Sequence, residues 1–157
     1  MDILKATQSD SEDIIKLVND VSEIDVLPHF NAKGQEQYRR SVLPDLTTTF
    51  DDDRFVSFKA LESGKLLGYG AIRDNHYVTH IFVAKDAQGL GVGRALLNAL
   101  LETTDNDIIT LRSSVNAVDF YQTYGFQASG EESEFKGIRF VPMALNREKQ
   151  LRTQTAS

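Results

Sequence analysis

The sequence contains no cysteine and no tryptophan, and it has only three histidines. Without cysteine the chain cannot form a disulfide, present a thiolate nucleophile or hold a cysteine-ligated metal. The histidines, His29, His76 and His80, do not have the spacing of a metal-binding motif. We therefore expect no metal site and no covalent acyl-enzyme formed on a cysteine.

The chain also lacks long apolar runs and an excess of basic residues. No run approaches the ~20 apolar residues that a membrane span needs, and the first ten residues, MDILKATQSD, do not resemble a signal peptide. The net charge of −6 argues against a nucleic-acid binder, which normally presents a basic face. We expect a cytoplasmic protein whose partners include neither a membrane nor nucleic acid.

The length of 157 residues suits one domain with a hydrophobic core. We expect a single domain over residues 1–145, followed by a polar tail over residues 146–157. The tail shows no motif with readable chemistry.

The segment Thr79–Glu102 contains the most informative pattern in the chain. It begins as a strand, passes through the six residues Gln88-Gly-Leu-Gly-Val-Gly93, and continues as a helix with a leucine stripe at positions 96, 97, 100 and 101. Each glycine in a helix costs about 1 kcal/mol relative to alanine, which suggests that side chains must be absent there. A glycine-rich turn at a helix N-terminus exposes unpaired N–H groups that suit a phosphate.

Two common phosphate motifs do not fit this loop. The Walker loop requires Gly-Lys-Ser/Thr, whereas Gly93 is followed by Arg94 and Ala95. The dinucleotide fingerprint requires a third glycine where Arg94 stands. The pattern Gln88-x-x-Gly91-x-Gly93 instead resembles the pyrophosphate loop of the Gcn5-related N-acetyltransferases (GNAT), which bind acetyl-coenzyme A.

The periodicity of the chain predicts an alternating set of strands and helices. We expect strands over residues 2–7, 55–61, 66–72, 76–83, 108–111, 126–128 and 135–145. We expect helices from a capping box at residues 9–12 to about residue 23, over 34–43 before Pro44, over the leucine stripe, and over 115–124 before Gly125. Residues 24–33 read as irregular, and the acidic run 131–134 reads as the turn of the last hairpin pair. This α+β order is similar to the GNAT fold, a mixed, mostly antiparallel sheet of about six to seven strands flanked by about four helices.

A second stretch, Ser113–Phe126, resembles a late motif of the same family. The matching residues are Asn116, Ala117, Val118, Phe120, Tyr121, Gly125 and Phe126. Two separate motifs in the right order support the resemblance, which covers about residues 2–145.

The resemblance implies roles for particular residues. The strand through Ile81, Phe82 and Val83 would offer backbone groups to the pantetheine arm, and Asn116 would approach the same arm. The pyrophosphate would lie on the loop that comprises Gln88, Gly89, Leu90, Gly91, Val92, Gly93 and Arg94. Tyr121 would protonate the leaving thiolate, and an amide near Phe82 or Val83 would stabilise the oxyanion.

Several assignments stay open at this point. Some relatives carry a glutamate as general base where this chain has Tyr77, so Asp74, His76, His80 or a water chain are the alternatives. His76 and His80 should share one face of their strand. Tyr124 is the rival of Tyr121, and Arg112 stands where relatives often carry asparagine.

The acceptor side is less well defined by sequence. We expect Pro28, His29, Phe30 and Tyr38 to line its mouth, and the acidic residues Glu131, Glu132 and Glu134 to attract a cationic amine. The expected function is acetyl transfer from acetyl-coenzyme A to a small-molecule or peptide amine within a ternary complex, by a monomer or homodimer. The alternative is a non-catalytic acyl-coenzyme A binding module.

Overall fold

The computed structural model describes residues 1–135 and 137–147, without the side chains of Val42 and Leu43. Within these residues, eight strands form one mixed sheet with four α-helices on its faces, so the predicted α+β fold is confirmed. The strands are β1 (Asp2–Lys5), β2 (Phe55–Glu62), β3 (Lys65–Arg73), β4 (Tyr77–Val83), β5 (Ile108–Ser114), β6 (Gln127–Ala128), β7 (Ser133–Phe135) and β8 (Ile138–Asn146). The helices are α1 (Ser11–Val21), α2 (Ala32–Thr48), α3 (Val92–Glu102) and α4 (Val118–Tyr124).

The sheet has the order β1-β2-β3-β4-β5-β8-β6, and β7 also pairs with β8. Strands β4 and β5 are parallel, because α3 crosses over between them, and the other pairs are antiparallel. This one parallel pair lies near the centre of the sheet. Strand β4 precedes the glycine loop and α3, and β5 follows them.

Two helices cover each face of the sheet. Helices α1 and α2 bury Ile14, Val18 and Leu46 against Tyr69 and other residues of one face, which we call the α1/α2 face. Helices α3 and α4 cover the opposite, α3/α4 face, where the predicted leucine stripe is fully or almost fully buried. The i, i+3, i+4 spacing of the leucines therefore predicted the inward side of α3 correctly.

The start of α1 differs from the prediction. The capping box was expected at residues 9–12, but the Thr7 amide donates to the Asp10 carboxylate at 2.9 Å, so the box lies two residues earlier. The box therefore caps a 3₁₀ turn, Gln8–Asp10, which directly precedes α1.

The predicted boundaries of α2 were wrong at both ends. The helix begins after Asn31, whose side chain accepts from Gly34 N at 2.8 Å, and it continues through Pro44 to Thr48. An interior proline costs about 3 kcal/mol. The full burial of Leu46 offsets much of this, since burying such a side chain contributes about 1.5–3 kcal/mol. The hydroxyls of residues 47–49 each donate to the carbonyl three residues earlier, at 2.6–2.9 Å, and close the last turn.

Two further segments were also predicted differently. The connection between α1 and α2 is not irregular: it forms a π-helical turn over Ser22–Val26 and a 3₁₀ turn over Leu27–His29. Two residues of the acidic run, Ser133 and Glu134, lie in strand β7 (Ser133–Phe135) rather than in a turn, which raises the strand count to eight. Phe135 was predicted to begin the last strand, which instead begins at Ile138. The polar tail was predicted from residue 146, but β8 includes Asn146, and residues 148–157 lie outside the described part of the chain.

No helix in the described part of the chain is both long enough and apolar enough to cross a membrane.

Candidate functional site

The parallel strands β4 and β5 pair over two residues only, at the start of β4 and in the first half of β5. Tyr77 lies opposite Thr110 and Val78 opposite Leu111, and beyond these residues the two strands separate. The gap opens a cleft of about 680 Å³ that is lined by residues from both faces of the sheet. We call it the central cleft. Divergence at the carboxyl ends of parallel strands is a common position for a ligand site in α/β sheets.

Backbone pairing determines which groups of β4 face the central cleft. Ala84 N donates to Leu67 O at 2.8 Å, which makes Ala84 and Leu67 a hydrogen-bonded pair of the antiparallel ladder. Such pairs recur at every second residue, so the backbone of Phe82 also bonds to β3. The N–H and C=O groups of Ile81 and Val83 therefore point to the opposite side, where β5 has separated. An extended ligand can pair with this edge as an added strand does.

The glycine loop has the conformation of an anion site. Gly89 and Gly91 adopt φ angles of +82° and +84°, and a Cβ on either would meet no atom within 4 Å. Gly91 caps α3, and the first bond of the helix joins Ala95 N to Gly91 O at 3.0 Å. The amides of residues 92–94 have no partner inside the helix and lie at the positive end of its dipole. Open space and unpaired amides at this end suit a phosphate.

Gly93 is required for a different reason. It is buried in the first turn of α3, and a Cβ there would lie 2.9 Å from Phe120 Cζ. Because Phe120 lines the central cleft, Gly93 permits close packing of α3 against a wall of the site. Of the three glycines in the loop, Gly89 and Gly91 are therefore required by backbone conformation, and Gly93 is required by packing.

The remaining predicted residues of the loop differ in position. Val92 is buried, whereas Leu90 is 71% exposed and projects outside the cleft lining. Arg94 lines the cleft, with its guanidinium 5.5 Å from the ring centre of Tyr124. Asn116 also lines the cleft, from a 3₁₀ turn that follows β5.

Gln88 holds the loop in place through its side chain. Its amide nitrogen donates to Asp25 Oδ2 at 2.8 Å and to Val83 O at 3.1 Å, and its amide oxygen accepts from Lys85 at 3.3 Å. The residue thus connects β4 and the glycine loop to the π-helical turn before α2.

Asp25 is a residue that the sequence analysis missed. It forms an ion pair with Lys85 at 2.8 Å and lines the central cleft. Burial raises the pKa of its carboxyl group, but the hydrogen bonds from Gln88 and Lys85 outweigh burial and leave the pKa below its usual value. Asp25 is 60 positions from Lys85, so no local pattern indicated the contact.

Tyr121 lies on α4 and reaches the central cleft from the α3/α4 face. Its ring packs edge-on against Phe120 and Phe126, at centroid distances of 5.0 and 5.7 Å. Burial raises the pKa of its hydroxyl far above the usual value, so the phenol stays protonated at physiological pH. The rival Tyr124 is turned away, because its hydroxyl donates to Asn98 Oδ1 at 2.7 Å and it does not belong to the described cleft lining.

Of the three side chains considered as general base, His80 alone lines the cleft. Asp74 lies in the turn before β4 and pairs with Arg54 at 2.9 Å, and His76 Nδ1 contacts the Asp74 carbonyl at 3.0 Å. The expectation that His76 and His80 share a face was wrong. His80 pairs with Ala71 and Val78 pairs with Ile72, so Thr79 is an extra residue without a partner on β3, that is, a β-bulge. The bulge reverses which side chains of β4 point to which face of the sheet.

His80 is held as a neutral imidazole. Burial lowers its pKa to about 4. The Thr79 hydroxyl donates to Ala71 O at 3.3 Å, and His80 Nδ1 lies 2.8 Å from the same hydroxyl oxygen. We therefore assign the proton to Nδ1, which donates to Thr79 and leaves Nε2 as a hydrogen-bond acceptor.

The α1/α2 side of the central cleft has aromatic and aliphatic walls. Phe30 and Tyr38, both predicted at the mouth, line it together with Phe82, Ile138 and Phe140. The other predicted mouth residues, Pro28 and His29, do not belong to the described lining.

The acidic run does not face the cleft either. Glu132 forms an ion pair with Arg139 at 2.7 Å, and Glu131 and Glu134 do not belong to the lining among the described residues. The prediction that this run attracts the acceptor amine is therefore not supported by the geometry.

The residues present fit acetyl-coenzyme A. The amides of residues 92–94 and the open space beside Gly89 and Gly91 suit the pyrophosphate. The backbone of Ile81 and the Val83 amide, which lie on the edge of β4 that faces the gap, match the amide-containing pantetheine arm. Tyr121 lines the same cleft, on the α3/α4 side. Among the residues with described placement, no cluster of three or more histidine or acidic side chains could hold a metal ion.

Comparisons with known proteins agree with this fit. The Acetyltransferase (GNAT) domain family matches residues 26–147. The Escherichia coli K12 protein "Peptidyl-lysine N-acetyltransferase YiaC" is 32% identical over 66 residues, which are 41% of this chain and 45% of that protein. The match thus spans less than half the length of this curated relative.

Solved structures show the same fold at low identity. A GCN5-related N-acetyltransferase from Rhodopseudomonas palustris has a TM-score of 0.77 at 16% identity, covering 92% of this chain and 94% of its own. The PaiA N-acetyltransferase from Thermoplasma acidophilum, in complex with coenzyme A, has a TM-score of 0.72 at 15% identity, covering 92% and 98%. The chain therefore belongs to the GNAT acetyltransferase family, whose members use acetyl-coenzyme A.

Proposed function

We propose that this protein is an N-acetyltransferase that transfers the acetyl group of acetyl-coenzyme A directly to a primary amine while both substrates are bound. The observation that supports this most strongly is the central cleft, which is lined from both faces where β4 and β5 separate. A donor on the α3/α4 side and an amine on the α1/α2 side would meet in this gap. Holding two reactants in contact supplies a large part of the rate enhancement in such reactions.

Tyr121 is the proposed general acid. When bound, acetyl-coenzyme A supplies the acetyl thioester, and the departing sulfur needs a proton. The Tyr121 phenol lines the cleft and holds its proton, because burial raises its pKa. A positioned acid of this kind contributes about 10²–10⁴-fold in rate.

The free edge of β4 supplies the proposed oxyanion donor. Of the two amides that point into the gap, those of Ile81 and Val83, the Val83 amide matches the expectation from the sequence. The Phe82 amide bonds to β3 and is not available. A preorganised amide donor of this type is worth about 3–4 kcal/mol in the transition state.

His80 is the proposed acceptor of a hydrogen bond from the amine. With a pKa of about 4 it stays neutral near pH 7, and its Nε2 is free of a proton. So low a pKa makes His80 a weak general base. We assign it to orient the neutral amine. The proton that the amine loses passes to water at the open mouth of the cleft, and Tyr121 regains a proton from water after it has protonated the sulfur.

A named relative supports a primary amine as the acceptor. The relative YiaC is named as a peptidyl-lysine N-acetyltransferase, which is consistent with a primary amine.

Incubation with acetyl-coenzyme A and a panel of amines and lysine peptides tests the proposal. We expect release of coenzyme A in equal amount to an acetylated amine identified by mass spectrometry. Tight binding of acetyl-coenzyme A with no acetylated product from any amine would contradict catalysis and favour the non-catalytic binding module.

A further inference from the structure

The α1/α2 side of the central cleft carries an unusual set of charges for a site that binds an amine. Asp25 is the one carboxylate among the described lining residues, and it is already paired with Lys85 at 2.8 Å. His80 is neutral near pH 7 because burial lowers its pKa. Arg112 is the remaining charge on this side, and no ion-pair partner for it is found within residues 1–135 and 137–147.

The register of β5 places Arg112 on the acceptor side. Ile109, Leu111 and Ser113 are buried toward the α3/α4 face, so the alternate residue Arg112 projects to the α1/α2 face. Its guanidinium lies 4.7 Å from the ring centre of Phe140, on the neighbouring strand β8. A contact with an aromatic ring uses none of the five N–H donors of the guanidinium, and two of these donors can bind a carboxylate in a two-point contact.

The α1/α2 side of the central cleft, which Arg112 also lines, has apolar and aromatic walls. Phe30 and Tyr38 lie with ring centres 5.7 Å apart, and Phe82 and Ile138 pack against the same cluster. The Tyr38 hydroxyl is 2.8 Å from the Ser22 hydroxyl, so its polar end is already satisfied. Such walls favour a ligand with an apolar or aromatic body.

Resting on the proposed function, we propose that the acceptor is a small amine that also carries a carboxylate and an apolar or aromatic body, as an aromatic α-amino acid does. Arg112 binds the carboxylate, and the cluster around Phe30 and Tyr38 holds the body. Polyamines and aminosugars are poor acceptors, because each extra ammonium group would need a carboxylate that this side of the cleft does not offer.

Calorimetric titration of the coenzyme A-bound protein tests this without requiring turnover. L-phenylalanine and phenethylamine share one body and one amine and differ in the carboxylate, and spermidine represents the polycations. We expect L-phenylalanine to bind at least about tenfold more tightly than the other two. Arg112→Gln should reduce this preference to less than about twofold, with the affinity for acetyl-coenzyme A unchanged.

Arg139→Gln is the matched control. Arg139 also lines the cleft, but it precedes Phe140 on β8 and therefore projects to the opposite face, where it pairs with Glu132. This variant should keep the full preference for L-phenylalanine.

Two results would overturn the inference. One is equal binding of L-phenylalanine and phenethylamine, or tighter binding of spermidine. The other is an Arg112→Gln variant that weakens acetyl-coenzyme A binding and keeps the preference, since Arg112 would then serve the cofactor. Acetylation of amines with no preference for a carboxylate would reject this inference and leave the proposed function intact. A retained binding preference without any acetylation would reject the proposed function, and with it the acceptor role, and would leave only the carboxylate contact of Arg112.

Discussion

Replacing Tyr121 by phenylalanine separates its proposed chemical role from its packing. The substitution removes one hydroxyl and keeps the ring contacts with Phe120 and Phe126. Burial raises the pKa of this hydroxyl, and no hydrogen bond joins it to a side chain within residues 1–135 and 137–147. Its loss should therefore change the free energy of unfolding by less than about 1 kcal/mol.

The effect of Tyr121→Phe on turnover should be much larger. Loss of a general acid costs about 10²–10⁴-fold in kcat, which corresponds to about 3–5 kcal/mol in the barrier. The measurement is coenzyme A release with the best amine of the panel, together with acetyl-coenzyme A affinity, which should stay within about twofold.

Tyr124→Phe is the control, and its expected pattern is the opposite. Tyr124 donates to Asn98 Oδ1 at 2.7 Å outside the cleft, so its loss should cost about 1 kcal/mol of stability and leave kcat unchanged. If Tyr121→Phe retained kcat within twofold of the wild type, Tyr121 could not be the acid.

Two more substitutions probe the acceptor side. In Gly34→Ala, the new Cβ would lie 2.1 Å from Gly137 O, so we expect a loss of about 1–3 kcal/mol in chemical denaturation and a higher KM for the amine. In the control Gly130→Ala, the new Cβ would contact only Pro142 Cγ, at 3.1 Å, so the free energy of unfolding should hardly change. Equal losses of stability in the two variants would refute the close approach of Gly34 to Gly137. For His80, the unfolded state binds its proton near pH 6.5 and the folded state near pH 4, so stability is lost as pH falls between these values. Wild type should lose about 2–3 kcal/mol more than His80→Asn between pH 7 and pH 4; parallel curves would contradict a buried neutral imidazole.

Local sequence signals predicted the centre of the site well. The strand, glycine loop and helix of residues 79–102 follow one another as expected, because periodicity and glycine positions depend on neighbours in the chain. The same holds for Gly125, which ends α4 with a φ of +131°.

Local signals failed where packing outweighed them. Pro44 normally ends a helix, but α2 continues because Leu46 is buried against α1 and the sheet. The polar residues Ser133 and Glu134 resemble a turn, yet β8 offers them a free edge and they pair with it as β7.

Contacts between distant segments gave no local signal at all. The ion pair of Asp25 with Lys85 joins residues 60 positions apart. The β-bulge at Thr79 depends on the register between β3 and β4, and it decides which face His80 occupies. The contact of Arg112 with Phe140 likewise depends on the pairing of β5 with β8. These features determine the acceptor side, which is why the sequence described that side least well.

Titration of acetyl-coenzyme A into Gly91→Asp and Gly64→Asp variants tests the central claim most directly. Both glycines have positive φ, +84° and +78°, and both have open space around the Cβ position, so backbone strain and added charge are matched. Gly64 lies in the β2–β3 turn, outside the central cleft. An aspartate beside the pyrophosphate should cost about 1–3 kcal/mol for each pair of like charges. We predict at least about 30-fold weaker binding for Gly91→Asp and wild-type binding for Gly64→Asp. Equal affinities of the two variants would contradict the placement of acetyl-coenzyme A on this loop.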